Sequence, residues 1–193
     1  MRDKILIIDG HPDPAPQRFC HALADAYVNG ARASGLETRL ITVADADIPL
    51  LRTAKEFAEL PTQRDVIRAR DDIMWSNHIV FIFPLWLGGA PALLHAFLEH
   101  VARDSFVAET RGRGIHQKLK GRSAHLIVTM GMPALMYSVL FKERGVRNLM
   151  QGVLGFGGVK PIRRTYFGAM EAASARVQTD RIEQVRGFGR NGS

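Results

Sequence analysis

The chain has 193 residues, 46% of them hydrophobic and 23% charged, and Cys20 is its only cysteine. It is long enough to bury a core without cross-links, which excludes a disulfide framework or zinc ribbon and leads us to expect one soluble cytoplasmic domain spanning 1–193. The net charge of +7 is gathered late in the chain, at Arg111, Arg113, Lys118, Lys120 and Arg122 and again from Lys160 to Arg190. No aromatic residues interleave with the first cluster as a nucleic-acid platform requires, and the longest apolar run, 79–87, contains Pro84 and is too short to span a membrane.

Strands and helices are expected in alternation. Residues 4–9 (KILIID) form an apolar run of strand length before Gly10, and Phe19, Ala22, Leu23, Ala26 and Tyr27 follow at helical spacing. Residues 37–43 alternate as a half-buried second strand, 45–49 read as a connection, and Val66, Ile67, Ile73 and Met74 mark a helix. The run 78–83 (HIVFIF) reads as a fully buried strand, and Pro91 opens a helix with an apolar stripe of Leu93, Leu94, Phe97, Leu98 and Val101. Residues 123–129 are a fourth strand and 136–150 a helical region interrupted at Gly145. The glycines at 152, 155, 157 and 158 read as a connection, 159–167 as a fifth strand, and Ile182, Val185 and Phe188 as a last helix. Five such units predict an α/β domain, one parallel sheet with helices on both faces, whose ligands bind beyond the carboxyl ends of the strands.

Three of those ends carry chemistry. The first loop, GHPDPAPQRFC, leads into a helix whose free N–H groups attract anions, with His11, Gln17 and Arg18 as further donors. It matches neither a Walker loop nor a dinucleotide fingerprint. The third strand ends in PLWLGGAP, where an indole beside two glycines suits a flat ligand lying against main-chain donors. The fourth ends in TMGMP, with Tyr137 shortly after. A phosphate on the first loop and a planar ring on the other two outline a flavin mononucleotide. No cluster with metal-ligand spacing is present.

These residues carry a family resemblance. The Gly10-His11-Pro12 loop with His21-Ala22-Leu23-Ala24, the segment Phe83-Pro84-Leu85-Trp86 leading to Pro91-Ala92-Leu93-Leu94, and Val128-Thr129-Met130-Gly131 resemble the flavodoxin-like NAD(P)H:quinone oxidoreductases, which include ancillary quinone reductases of potassium efflux systems. The resemblance implies a flavodoxin-like three-layer sandwich with strand order 2-1-3-4-5 and a non-covalent FMN or FAD. The phosphate would lie on His11, Gln17, Arg18, Phe19 and Cys20, and the ring against Pro84, Leu85, Trp86, Leu87, Gly88, Thr129, Met130 and Gly131. It further implies hydride transfer from NAD(P)H to the flavin, then two electrons to a quinone-like acceptor in a ping-pong cycle. Thr129 and Tyr137 are the catalytic candidates, and N–H groups near 85–87 would stabilise ring charge; Arg111, Arg113 and Lys118 read first as a solvated face and, alternatively, as a lid over the nucleotide. A homodimer using the apolar stretch 132–141 is expected, with neither nucleic acid nor membrane insertion; a regulatory subunit of an ion-efflux system is the alternative. Two residues depart from the family pattern: Gln17 stands where Ser is usual and Cys20 where Asn is usual. Cys20 is therefore expected to pack as a small hydrophobe. The helix after the fourth strand also lacks the histidine that accompanies the tyrosine in mammalian-type members.

Overall fold

The computed structural model describes residues 3–103, 106–110 and 114–193, with backbone alone at 107–110, 114 and 115. In chain order the elements are β1 (Lys4–Asp9), α1 (Phe19–Ala33), β2 (Glu37–Thr42), a 3₁₀ turn (Val43–Asp45), α2 (Ala54–Ala58), α3 (Arg64–Trp75), β3 (His78–Pro84), α4 (Ala92–Ala102), β4 (Val107–Thr110) and β5 (Gly114–Gln117). They continue with β6 (Ser123–Thr129), α5 (Ala134–Leu140), α6 (Arg144–Arg147), a π-helical segment (Asn148–Gly155), β7 (Ile162–Phe167) and α7 (Ala175–Arg190).

Five strands form one wholly parallel sheet in the order β2-β1-β3-β6-β7, which is the expected 2-1-3-4-5 when the sheet strands alone are counted. Successive side chains on a strand point to opposite faces, so a strand covered on both sides must be apolar throughout. On β1, Leu6 and Ile8 enter one core and Ile5 and Ile7 the other; on β3, Ile79, Phe81 and Phe83 are divided in the same way from Val80 and Ile82. The first core is closed by α3 and α4, through Val66, Ile73, Leu94, Phe97 and Val101. The second is closed by α1 and α7, through Leu23, Tyr27, Ala31 and Val185. Because the connections run in parallel, the loops after β1, β3, β6 and β7 all emerge at one end of the sheet, and Pro84, Thr129 and Phe167 are paired in register there.

The structure differs from expectation in three places. The segment that holds the first basic cluster, for which no strand was expected, includes an antiparallel hairpin, β4 with β5, whose register pairs Val107 with Gln117 and Thr110 with Gly114. The helical region after β6 breaks at Lys142 and Glu143, which have φ of 52° and 56°, and Gly145 lies within α6 instead. Gly152 and Gly155 belong to the π-helical segment, and β7 starts at Ile162, after Pro161, which has no N–H to give a ladder.

Candidate functional site

An opening of about 400 Å³ lies at the carboxyl end of the sheet. His11, Asp13, Arg18 and Phe19 contribute one wall, Pro84, Leu85 and Trp86 the second, and Thr129, Met130 and Gly131 the third. Met170 and Glu171, from the loop after β7, complete it. The three loops singled out in the sequence therefore meet, and a fourth joins them. The strand-end rule covers the β7 loop as much as the others, but its sequence, GAME, carries none of the glycine–proline or aromatic marking of the other three.

The first wall is the uncapped start of a fifteen-residue helix. Arg18 is the N-cap of α1 and gives no side-chain cap bond, and the backbone N–H groups of Gln17, Phe19 and Cys20 have no partner among the described hydrogen bonds. Unpaired donors at the positive end of a helix are an anion receptor. The loop before them is shaped by Asp13, all of whose polar groups are used. Its N–H donates to His11 Nδ1 at 3.1 Å, its carbonyl accepts from His21 Nε2 at 3.0 Å, and its carboxylate accepts from the Ala15 N–H at 2.9 Å and from Arg18 Nε at 2.7 Å. That network assigns the His11 proton to Nε2, and partial burial holds His11 below its ordinary pKa, so it is a neutral donor at pH 7. Gln17 is exposed and does not line the opening. Cys20 is buried at 1% exposure with Sγ 3.5 Å from Thr129 Oγ1, and burial pushes its thiol up to about 12, so it packs as a hydrophobe.

The second wall rides on a tight turn at 86–89. Trp86 N–H donates to the Gly89 carbonyl and Gly89 N–H to the Trp86 carbonyl, both at 2.9 Å, and the central residues Leu87 and Gly88 have φ of 48° and 79°. A two-residue turn of this hand needs positive φ at both central positions, which glycine meets at Gly88 and Leu87 meets under strain. Trp86 is 50% exposed and its ring meets that of His11 edge-on at 6.1 Å, so the indole is part of the opening and not of the core. The N–H groups of Leu85 and Trp86 are consumed, by Thr129 O and Gly89 O respectively, which leaves Leu87 N–H as the unpaired donor of the expected group.

The catalytic candidates are placed otherwise than expected. Tyr137 has no exposed surface and does not line the opening; its hydroxyl donates to the Gly88 carbonyl at 3.1 Å and accepts from Val146 N–H at 3.3 Å. It holds the 86–89 turn against α6. Thr129 lines the opening, but its hydroxyl turns towards Cys20, under α1. The unpaired donor on this wall is the Gly131 N–H, and Glu171 lies so close over Gly131 that an added Cβ would stand 2.7 Å from its Oε1. Arg111 and Arg113 lie outside the described residues, and Lys118 closes the end of β5, where its N–H donates to the Phe106 carbonyl.

Two residues that the sequence reading passed over stand beneath the first wall. Asp9, 2% exposed at the end of β1, accepts from His11 N–H at 3.1 Å and forms an ion pair with His21 Nδ1. Burial pulls the His21 imidazole down, but its bond to the Asp9 carboxylate more than reverses this and leaves it above its ordinary pKa. The acidic residue closing an apolar strand was the available signal for this pair. Among the described residues no group of three His, Cys, Asp or Glu side chains is placed to hold a metal ion.

Comparison with known proteins agrees with this architecture. A family model described as the flavodoxin-like fold matches residues 3–187. The chain belongs to that family. A protein of Haemophilus influenzae named as an uncharacterised NAD(P)H oxidoreductase is 20% identical over 182 residues, covering 92% of this chain and 90% of its own. An FMN-dependent NADH:quinone oxidoreductase of Bacillus subtilis is 27% identical over 110 residues, covering 53% of this chain and 49% of its own. Among solved structures, the NAD(P)H:quinone oxidoreductase of Methanothermobacter marburgensis superposes with a TM-score of 0.79 at 19% identity, over 97% of this chain and 95% of the other. An FMN-dependent NADH-azoreductase of Bacillus anthracis, solved with FMN, superposes at 0.73 and 14% identity, over 97% of each.

Proposed function

We propose that this chain is an FMN-dependent NAD(P)H oxidoreductase that delivers two electrons to quinone-like acceptors. The observation that carries the reading is the union, in one opening, of an uncapped helix start bearing unpaired N–H groups with an indole-walled slot. A phosphate and a planar ring are the two chemical units those walls fit. The relatives named above as FMN-dependent and as NAD(P)H oxidoreductases support the same reading.

In this reading the Phe19 N–H at the uncapped start of α1 and the Nε2–H of His11, both lining the opening, hold the phosphate. Trp86 and Leu85 lie along the ring, and Gly131 N–H donates to its carbonyl edge. A bound flavin supplies the redox chemistry, accepting a hydride from the reduced nicotinamide and passing two electrons to the acceptor in a ping-pong cycle. The chain's own part would be to hold the phosphate on the first loop and to orient the ring against Trp86 and Gly131.

A large apolar surface adjoins the opening. Leu135, Val139 and Leu140 are 76%, 62% and 69% exposed, and Met136, Phe141 and Leu87 stand out of the core with them. Exposed apolar surface on this scale beside a site marks an interface, and in our reading a second copy of the chain covers it and helps to wall the opening. Leu140→Glu is expected to give monomers by light scattering.

The direct test is absorbance of protein incubated with FMN and freed of excess. A visible flavin band at one equivalent per chain, with NAD(P)H oxidation by menadione or benzoquinone, is expected. A chain that retains no flavin overturns the proposal, and a chain that retains flavin without turnover assigns it to a binding role.

A further inference from the structure

The charged pair beneath the first wall is not needed to line the opening, yet it is built with care. Asp9 closes β1, and the side chain of His21, in the first turn of α1, is 14% exposed. Both imidazole nitrogens of His21 face acceptors, Asp9 Oδ2 at Nδ1 and the Asp13 carbonyl at Nε2. A carbonyl only accepts, so Nε2 carries a proton. Burial pushes the Asp9 carboxyl above its ordinary value, but its other oxygen already receives the His11 N–H, and that donor together with the imidazole supports the ionised carboxylate and places the second proton on Nδ1. His21 is thus an imidazolium tying the sheet to the hub of the loop. The His11 ring packs edge-on against it with centroids 5.5 Å apart, and His11 in turn meets Trp86.

Resting on the reading of the opening as a flavin mononucleotide site, we propose that Asp9 and His21 are its positioning residues, a buried ion pair whose imidazolium fixes the 11–18 loop in the shape that receives a phosphate dianion. Asp13 has one carbonyl, and His21 holds it turned down into the protein, away from where the anion binds. When His21 loses a proton, one of its nitrogens presents a lone pair to either a carboxylate or a carbonyl. The Asp9 carboxylate is the stronger acceptor and retains the Nδ1 proton, so the lone pair falls on Nε2 facing the Asp13 carbonyl; the tie to Asp13 is released, and with it the Asp13 N–H that orients His11. The same deprotonation removes a positive charge from beneath the anion. The charged and titratable groups facing His21 are Asp9 from β1, Asp13, His11 and Arg18 from the loop, and Asp45 from the 3₁₀ turn. The carboxylates among them outnumber the cations and favour the protonated ring.

The test compares binding of FMN and of riboflavin, which lacks the phosphate, to the whole flavin-free chain from pH 5.5 to 9, by quenching of flavin fluorescence. FMN affinity is expected to fall about tenfold, the scale of one charge acting on an ion a few ångströms away, as pH rises through the His21 titration, while riboflavin affinity stays level. The His21→Gln variant should bind FMN at the weaker level at every pH, with riboflavin binding unchanged. Asp9→Asn should move the FMN midpoint to lower pH. The imidazole carbon–proton resonance of His21 should titrate above its ordinary value of 6.5 and drop in Asp9→Asn, a readout that stands even if His21→Gln does not fold. FMN binding that His21→Gln leaves unaltered in strength and pH profile overturns this proposal alone, as does a His21 midpoint below 6.5. Failure of the wild-type chain to bind FMN at any pH overturns the site reading and this proposal together.

Discussion

The hydroxyl of Tyr137 sits 3.1 Å from the Gly88 carbonyl and gives that turn its only side-chain tie to the helices behind it among the described residues. A family tyrosine expected beside the reacting atoms is here a clamp on the backbone that carries Trp86. Tyr137→Phe deletes a hydroxyl serving two backbone groups and should lower stability by about 1–2 kcal/mol in urea unfolding. Flavin affinity should fall with it. The kcat pH profile should keep its shape, and loss of a limb in that profile would make Tyr137 a proton donor instead.

Gly145, next to Val146 in α6, packs directly against the same turn. A Cβ built there would lie 2.2 Å from the Gly88 carbonyl oxygen and 2.6 Å from the Gly89 Cα, both backbone atoms that cannot step aside. Gly145→Ala should therefore cost about 1–3 kcal/mol and shift the emission of Trp86. A variant as stable as the parent, with unaltered emission, would show the turn to be free to move.

Trp86 separates folding from binding. Half of the side chain is in solvent, so Trp86→Ala should change stability by under about 1 kcal/mol. It should also weaken flavin retention by roughly tenfold or more through loss of the stacking wall. Thermal melting and flavin titration on one preparation decide it, and equal losses would return the indole to the core.

Cys20 is expected to be silent. With its thiol buried and pushed up to about 12, native protein at pH 8 should not react with Ellman's reagent, whereas one thiol per chain should react in urea. The folded value lies above the ordinary 9.0, so this group's contribution to stability is complete below pH 9 and declines as pH rises towards 12. Rapid labelling of the native chain would place Cys20 at the surface of the loop.

Much of the fold could be read because both faces of the sheet are buried. The runs KILIID, HIVFIF and SAHLIVT are apolar at odd and even positions alike, a pattern that few other structures produce. The break after α5 could not be read, because it falls on Lys142 and Glu143, neither a usual left-handed residue. Glu143 is held there by Ser138 at 2.9 Å and by Arg164 at 2.8 Å, the latter reaching across from β7. The three loops of the opening were legible from their glycines, prolines and indole. The directions of the Thr129 and Tyr137 hydroxyls were not, since each is set by a partner distant in the chain: Cys20 for one, Gly88 and Val146 for the other.

The uncapped start of α1 also links occupancy to folding. A side-chain N-cap is worth about 1 kcal/mol, and α1, which packs along α7 and one face of the sheet, starts without one. An anion seated on those N–H groups would serve as the cap and would bind the native chain but not the unfolded one. At a hundredfold excess over Kd, such a ligand adds about 2.7 kcal/mol to the unfolding free energy. The melting temperature should then report site occupancy, and amide exchange in the first turn of α1 should slow before exchange elsewhere in the helix.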